Sequence, residues 1–447
     1  MKIYSWIVAA ALIATPVFAK AQNQSHRDDQ ADISEREHSI RQAMAETAHY
    51  VSTVLIQPSG KGRTDYDLVS GKWSDYETHW HTGQAIWGLV ESAALLNDPS
   101  LEAAAKRAGD WWISTEYQDL HPFAGLVDAA HGNRLGPLLN WTTIADGTPG
   151  LFALSRATGD PRYADSATRS GKWLWRNTRV PDSVKGGEGL FYNIFDPSRG
   201  VVVTDWNPHK QGAVYDQRVD YGSPPIEELA RPNIEGFLFA DMCRHTGDRL
   251  WCDRFLEQAE FALARQHANG LWMEFEPNDP KTGNVHPRFN IWNAEALLEA
   301  YALTSDNRFL DGAERTATFY RDIATKDGTI HYRLNTDGTA QRGSITGSAV
   351  AFNGILMLRL RDYGKTGFDK AINRTAKWLA ANRFSPDHAD PNIAGAVINT
   401  RYKTGGGKAQ LIQRDVGSTF ALRFMALYLR DLRGENVNAH LTGSKSP

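Results

Sequence analysis

Cysteine is nearly absent from this chain: its 447 residues hold two, Cys243 and Cys252. Two thiols, with no histidine cluster at ligand spacing, leave no metal site to expect. They could pair across the turn Arg244-His245-Thr246-Gly247-Asp248 in an oxidising compartment, or remain two buried thiols. Charge of one sign is missing too. The 49 Lys+Arg against 52 Asp+Glu give a formal net charge of −3, which offers nucleic acid no long-range attraction. Beyond the N-terminus no apolar run is long enough to cross a bilayer, so no membrane insertion is expected. The run Gly405-Gly406-Gly407 lacks Walker spacing and a following Ser or Thr, and reads as a mobile lid. No calcium-loop pattern occurs.

What is present is ordinary globular composition, 41% hydrophobic and 23% charged, with 14 Trp, 15 Tyr and 18 Phe. Residues 1–21 read as a signal peptide: Met1-Lys2, an apolar stretch from Ile7 to Phe18, then small residues for cleavage. The mature chain is therefore expected in a periplasm or secreted. Residues 22–38 read as a flexible lead-in, 39–435 as one catalytic domain and 436–447 as a flexible tail.

Within that domain the connections alternate. Short turns recur at Asn97-Asp98-Pro99-Ser100, Gly159-Asp160-Pro161-Arg162, Gly247-Asp248-Arg249-Leu250, Ser305-Asp306-Asn307-Arg308 and Gly364-Lys365-Thr366-Gly367. Long polar loops fill 117–142, 179–231, 268–289, 326–345 and 384–414. Amphipathic helices are expected at 38–56, 101–116, 162–177, 250–267, 308–324 and 368–383. Their partners at 82–97, 143–158, 232–246, 290–304, 346–362 and 415–433 are apolar all round and belong inside. Repeating hairpins of this kind make an all-α (α/α)6 toroid; a seventh pair inside 185–222 would make it (α/α)7. All long loops then meet at one end, where the inner helices present unpaired N–H groups and positive dipole ends. Such a mouth suits a carboxylate-bearing ligand.

The polar residues at the inner-helix starts are Arg231-Pro232-Asn233-Ile234-Glu235, His286-Pro287-Arg288-Phe289-Asn290 and Tyr332-Arg333. Together with the toroid they resemble the toroid polysaccharide lyases, most nearly the family 38 alginate and glucuronan lyases. Asn140-Trp141 with Gly147 and Pro149 resembles the Asn-Trp segment of the chondroitin-type toroid lyases, whose sandwich domains this chain lacks. The resemblance implies β-elimination on a uronic-acid polysaccharide by a monomer without a cofactor. Tyr332 would be base and acid, Asn233 and His286 would neutralise the substrate carboxylate, and Arg288 would position it. Arg231, Glu235, His131, Asn140 and Trp141, with His209, Tyr215, Arg218 and Tyr221 of the long insertion, would bind substrate. Tyr215 or Tyr221 competes with Tyr332 as the base, and Trp141, Trp206, Trp272 and Trp292 are candidate sugar platforms.

Each assignment has a structural rival: a helix cap for Asn233, a satisfied loop histidine for His286, a core position for Tyr332, an ion pair with Glu276 or Glu295 for Arg288. Rival functions stand beside the lyase. A glycoside hydrolase would need two carboxyls, with Glu235 and Asp415 as the pair. The signature aspartate setting of the unsaturated-glucuronyl hydrolases is not evident. A sugar epimerase would use His79, His81 or His286, and a glycan-binding protein would need no catalytic residue at all.

Overall fold

The structure, a computed structural model, describes residues 15–132, 135–207, 225–275, 278, 284–332, 334–335, 344–405 and 408–442. Side chains are described from Ile33 onward, except at 284, 334–335, 403–405, 408 and 442. The helices are α1 Thr15–Tyr50, α2 Thr78–Leu96, α3 Pro99–Ser114, α4 Trp141–Ala145, α5 Thr148–Thr158, α6 Pro161–Thr178, α7 Ile226–Leu229 and α8 Leu238–Thr246. They continue as α9 Arg249–Ala264, α10 Pro287–Thr304, α11 Asn307–Ile323, α12 Gly347–Asp362, α13 Asp369–Ala381, α14 Val416–Leu432 and α15 Val437–Thr442.

Four of the short turns are one device repeated. The inner helix ends in a left-handed residue, Asn97, Gly159, Gly247 or Ser305, which turns the chain outward. The next residue, Asp98, Asp160, Asp248 or Asp306, caps the outer helix: its carboxylate accepts the N–H of Ser100 (2.9 Å), Arg162 (3.0 Å), Leu250 (2.9 Å) or Arg308 (2.9 Å). Reversal is thus complete within a few residues, and each pair lies antiparallel.

Outer helices bury one stripe. On α11 that stripe is Phe309, Leu310, Ala313, Ala317 and Tyr320, at helical spacing. Inner helices are buried all round; every residue of α12 from Gly347 to Leu360 is covered. Neighbouring inner helices are α14 and α2, α2 and α5, α5 and α8, α10 and α12, and α12 and α14. Arg244 of α8 pairs with Glu299 of α10 and closes the ring. Glycine sets the closest approach: a Cβ on Gly83 would lie 2.1 Å from the Gly147 carbonyl oxygen, and one on Gly150 1.9 Å from that of Gly83. The result is an (α/α)6 toroid. No seventh hairpin occurs among the described residues of 185–222, which form strands and turns up to 207.

At the short-turn end the barrel interior is charged. Arg359 and Arg423 both reach Glu295 (3.4 and 3.0 Å), and Arg359 also reaches Glu299 (2.7 Å), all fully buried. A buried network of this kind tolerates loss of one partner badly. Asn438 joins it, accepting from Arg359 Nε and donating to the Arg359 carbonyl (both 2.9 Å). Residues 437–442, expected as part of a flexible tail, are therefore a docked helix. The expected lead-in at 22–38 likewise lies within α1, and Glu37 pairs with Arg41 and Arg433. Cys243 of α8 and Cys252 of α9 are disulfide-bonded across the Gly247 turn, with Cα atoms 5.2 Å apart.

All strands lie in the connections that lead from an outer to an inner helix. They are β1 Asp65–Asp67, β2 Lys72–Trp73, β3 Ala130–Gly132, β4 Gly136–Asn140, β5 Phe191–Tyr192, β6 Ile194–Asp196, β7 Val201–Val203, β8 Ala230–Arg231, β9 Asn284–Val285, β10 Leu334–Asn335, β11 Thr400–Gly405 and β12 Lys408–Arg414. The largest sheets run β11-β12-β1-β2 and β3-β4-β6-β7. They stiffen the mouth of the barrel. Among the described residues no helix is long and apolar enough to cross a membrane.

Replacing a cap at the far end tests this division of labour. Asp248→Ala should lower unfolding stability by about 1 kcal/mol, read by denaturant titration, without altering ligand binding at the mouth.

Candidate active site

Polar residues converge where the inner helices begin. At the entrance to α10, His286 is the cap: its Nδ1 accepts the Phe289 N–H at 3.3 Å. An accepting Nδ1 puts the ring proton on Nε2 in the neutral form. Burial, reinforced by Arg288, Arg414, Arg401 and Arg231, pushes the His286 pKa well below its usual value, so the neutral form holds. Nε2–H therefore faces the Tyr332 hydroxyl, 3.4 Å away, as a donor.

A second donor meets the same oxygen. Arg414 ends β12 opposite Asp65 of β1; its Nε donates to Asp65 (2.8 Å) and its Nη1 to Tyr332 Oη (3.2 Å). Arg401 of β11 lies 4.9 Å over the Tyr332 ring. Burial alone would push the Tyr332 phenol up, but Arg414, Arg401 and Arg288 outweigh it and bring the pKa down to about 7. An oxygen that receives two N–H donors among three guanidiniums is set to carry negative charge. Arg288 contributes more than charge. It is buried 5.2 Å over the Trp80 ring, and its Nε and Nη1 have no acceptor among the described residues. Buried guanidinium donors without acceptors are a receptor for a carboxylate.

Around α2 and α4 lies an acidic counterpart. Glu77, in a left-handed backbone conformation (φ 46°), accepts from Asn140 Nδ2 (3.0 Å) and lies 3.5 Å from His131 Nε2. Burial would raise its pKa, but His131, Asn140, Tyr76 and His81 hold it at about 2. Asn140 also caps α4 through the Thr143 N–H at 2.7 Å. His81 Nδ1 bonds Asp415 Oδ1 at 2.6 Å, and both are buried. Asp65, His81 and Asp415 bring three donor atoms within 4.8 Å of one another. Asp65 is occupied by Arg414 and His81 by Asp415, and the guanidiniums close by oppose a cation there.

A third group is a carboxyl pair. Gly236 (φ 75°) lets the 233–236 turn lie directly on Ala145 and Asp146, since a Cβ there would stand 2.9 Å from Asp146 Cα. Glu235 thereby comes to interact with Asp146. Burial, then the Glu235 charge, pushes the Asp146 pKa well above the usual carboxylate range. Arg231 lies 3.7 Å from Glu235.

The structure thus brings Tyr332, His286 and Arg288 into one cluster. Electrostatic coupling of Asp146 to Arg288, Arg231, Glu77 and Glu235 ties the remaining groups to it. Asn233 has both amide ends engaged, accepting from Arg231 Nε (2.9 Å) and donating to the Phe191 carbonyl (3.3 Å); it braces Arg231 and does not cap a helix. Trp141 is packed against Phe191 (4.8 Å) and Phe239 (6.1 Å) and shows no face to solvent. Trp206, Trp272 and Trp292 are equally buried, so none of the four is a sugar platform. His209, Tyr215, Arg218 and Tyr221 lie outside the described residues. The carboxyl partner of Glu235 is Asp146 rather than Asp415, because Asp415 is held by His81.

Sequence reading overlooked Asp146, Arg414, Arg401, Tyr76 and Glu77. Asp146 and Arg414 carried a usable signal: each is a charged residue at the entrance of an otherwise apolar helix.

No family model matches the sequence, and no curated protein matches it. Solved structures match its fold. A cellobiose 2-epimerase from Bacillus thermoamylovorans superposes with a TM-score of 0.63 at 10% identity, covering 89% of this chain and 99% of its own. A sugar epimerase from a ruminal bacterium gives 0.62 at 13%, covering 90% and 99%. An unsaturated glucuronyl hydrolase responsible for glycosaminoglycan degradation, from a Bacillus species, gives 0.59 at 14%, covering 89% and 98%. The three are sugar-processing enzymes on the same toroid. None of them is a lyase, and the likeness to the family 38 lyases rests on sequence residues alone.

The raised Asp146 pKa has a sign that can be checked. A carboxyl raised above its unfolded value contributes stability that is present in acid and lost as pH rises through the folded value. Asp146→Asn removes that loss. The variant should melt above the parent at pH 8, with the gap closing toward pH 4. An equal change at both pH values would contradict a protonated Asp146.

Proposed function

We propose that this protein is an enzyme acting on a uronic-acid-containing glycan, and that it cleaves the glycan by β-elimination with Tyr332 as base. The observation that carries the reading is the Tyr332 oxygen, which receives hydrogen bonds from Arg414 and His286 and has a pKa of about 7. A phenolate at neutral pH suits a reaction that begins with proton abstraction.

In this reading Arg288 takes the substrate carboxylate on its free donors, and protonated Asp146 offers a further hydrogen bond beside it. Neutralising the carboxylate acidifies the C5 proton. The Tyr332 oxygen takes that proton as a C4–C5 double bond forms and the C4–O bond breaks. The departing oxygen then recovers the proton from Tyr332, which returns to its starting state. No cofactor enters the balance.

The Asp146–Glu235 pair favours a second reading, hydrolysis, in which protonated Asp146 is the general acid and Glu235 its partner. The activities named for the glucuronyl hydrolases of the same fold lean toward this reading. We also propose that the chain is exported. The Met1–Ala21 pattern and the Cys243–Cys252 bond suit an oxidising compartment. Mass spectrometry of periplasmic protein that retained residues 1–21 would refute this.

Products settle the chemistry. Elimination from glucuronan or alginate leaves a conjugated uronate, seen as rising ultraviolet absorbance; hydrolysis of the same polymers leaves new reducing ends without it. On the eliminative reading Tyr332→Phe loses about 10²–10⁴-fold in turnover, whereas Asp146→Asn keeps its hydrogen-bond donor and much of its activity. On the hydrolytic reading the order reverses. Arg401→Ala should also move the pH–rate midpoint upward from about 7, because it removes a cation that lowers the phenol.

A further inference from the structure

Five of the six inner helices bring an unpaired polar atom to the mouth. These are His81 Nε2 in the first turn of α2, Asp146 Oδ1 before α5, Glu235 Oε2 before α8, Arg288 Nε and Nη1 at the start of α10, and Asp415 Oδ2 before α14. All are buried and have no partner among the described residues. Folded proteins leave few buried polar atoms unpaired, so a set of them at one end of the barrel asks for a ligand. The proposed reaction uses the donors of Arg288 and the Asp146–Glu235 pair. It gives His81 and Asp415 nothing to do.

Asp415 decides what His81 offers. His81 Nδ1 bonds its carboxylate at 2.6 Å, which keeps the ring proton on Nδ1 and makes Nε2 of the neutral imidazole an acceptor. Trp80 stacks on the His81 ring at 4.0 Å, and His81 and Asp415 are each 1% exposed. The pair belongs to the same mouth as Tyr332. Tyr76 has its ring 5.9 Å from that of His81 and 5.3 Å from the Arg414 guanidinium, which donates to the Tyr332 oxygen. In the ring order α14-α2-α5-α8-α10-α12, α2 stands opposite α10. The gap between them is narrow, since Arg288 of α10 lies 5.2 Å over the ring of Trp80, the neighbour of His81. A ligand whose carboxylate meets Arg288 therefore lies within reach of α2.

An ionised carboxylate has no proton to donate, so the group that satisfies Arg288 cannot satisfy His81. A hydroxyl can. Each unit inside a 1,4-linked polyuronate carries one carboxylate and two free ring hydroxyls, the counterparts of open donors on α10 and open acceptors at α2 and α14. We infer that His81 is a specificity-determining residue: its Nε2 accepts the hydrogen bond of a ring hydroxyl on the uronate unit held by Arg288. This role rests on the uronate reading above and extends it. Esterifying that hydroxyl removes the donor and adds an acyl group in a buried site. The substrate is therefore a polyuronate with free hydroxyls, and O-acetylated units are rejected.

A matched pair of substrates tests this: O-acetylated glucuronan or alginate, and the same polymer after saponification. Cleavage is read as new reducing ends, which elimination and hydrolysis both produce. The parent should cleave the saponified polymer with kcat/KM about ten- to a hundredfold above the acetylated one. His81→Asn keeps an N–H for Asp415 and deletes Nε2. Assayed well below its melting temperature, it should lose about that factor on the saponified polymer and little on the acetylated one. His81→Gln, whose amide oxygen reaches the Nε2 position, should keep the preference. No cleavage of either sample by the parent overturns the uronate reading and the hydroxyl contact with it. Equal kcat/KM on both samples in the parent overturns the hydroxyl contact alone, whether or not the variants fold. So does an equal loss on both samples in His81→Asn.

Discussion

A carboxylate cap on a two-residue turn governs the rest of this molecule. Asp98, Asp160, Asp248 and Asp306 each close an outer helix immediately after an inner one has ended, so the chain reverses without spending residues. With one end of the barrel closed tightly, extra length can go only to the other. The strands, the strained residues Glu77, Asn233 and Phe237 and the buried guanidiniums of Arg288 and Arg414 occur there. Left-handed backbone at residues other than glycine costs about 1–3 kcal/mol each, and the rigid double ring of helices is what holds it in place.

The mouth is also an electrostatic construction. Arg231, Arg288, Arg401 and Arg414 stand close enough to act on one imidazole, His286, and three of them act on one phenol, Tyr332. Such crowding of cations would be unfavourable if nothing answered it. Asp65 and the Tyr332 oxygen answer part, and the open donors of Arg288 leave room for a carboxylate from outside. On the other side, Glu77 is held as an anion and Asp146 is pushed toward its neutral form by the same rule, their neighbours outweighing or adding to burial. A ligand that brought its own negative charge, as the proposed function requires, would complete the balance.

Much of the fold was legible because its signals are local. Gly/Asn/Ser followed by Asp marks four of the five short turns, and largely apolar segments mark the inner helices, so the order of hairpins can be read from local sequence. Tyr332, His286 and Arg288 could be singled out because they sit in polar runs before inner helices. What sequence could not give was pairing across the ring. Tyr332 and Arg414 are 82 positions apart, His81 and Asp415 334. Asp146 meets Glu235 only because Gly236 allows two loops to touch. The tryptophans misled for a related reason: Trp141 and Trp272 lie in loop-rich stretches, yet the double ring is thick enough to bury them completely. Within the segments expected to be loose, Glu37 and Asn438 are held by contacts with the distant residues Arg433 and Arg359 that no window of sequence contains.

The eliminative reading of this site depends on the ionisation of one side chain. The direct measurement is an ultraviolet titration of tyrosinate absorbance in the folded protein, with Tyr332→Phe as the reference. A single ionisation near pH 7, present in the parent and missing from the variant, is the expected result. Superimposable curves up to the ordinary tyrosine range of about 10 would mean that Tyr332 remains a neutral phenol and that proton abstraction lies elsewhere.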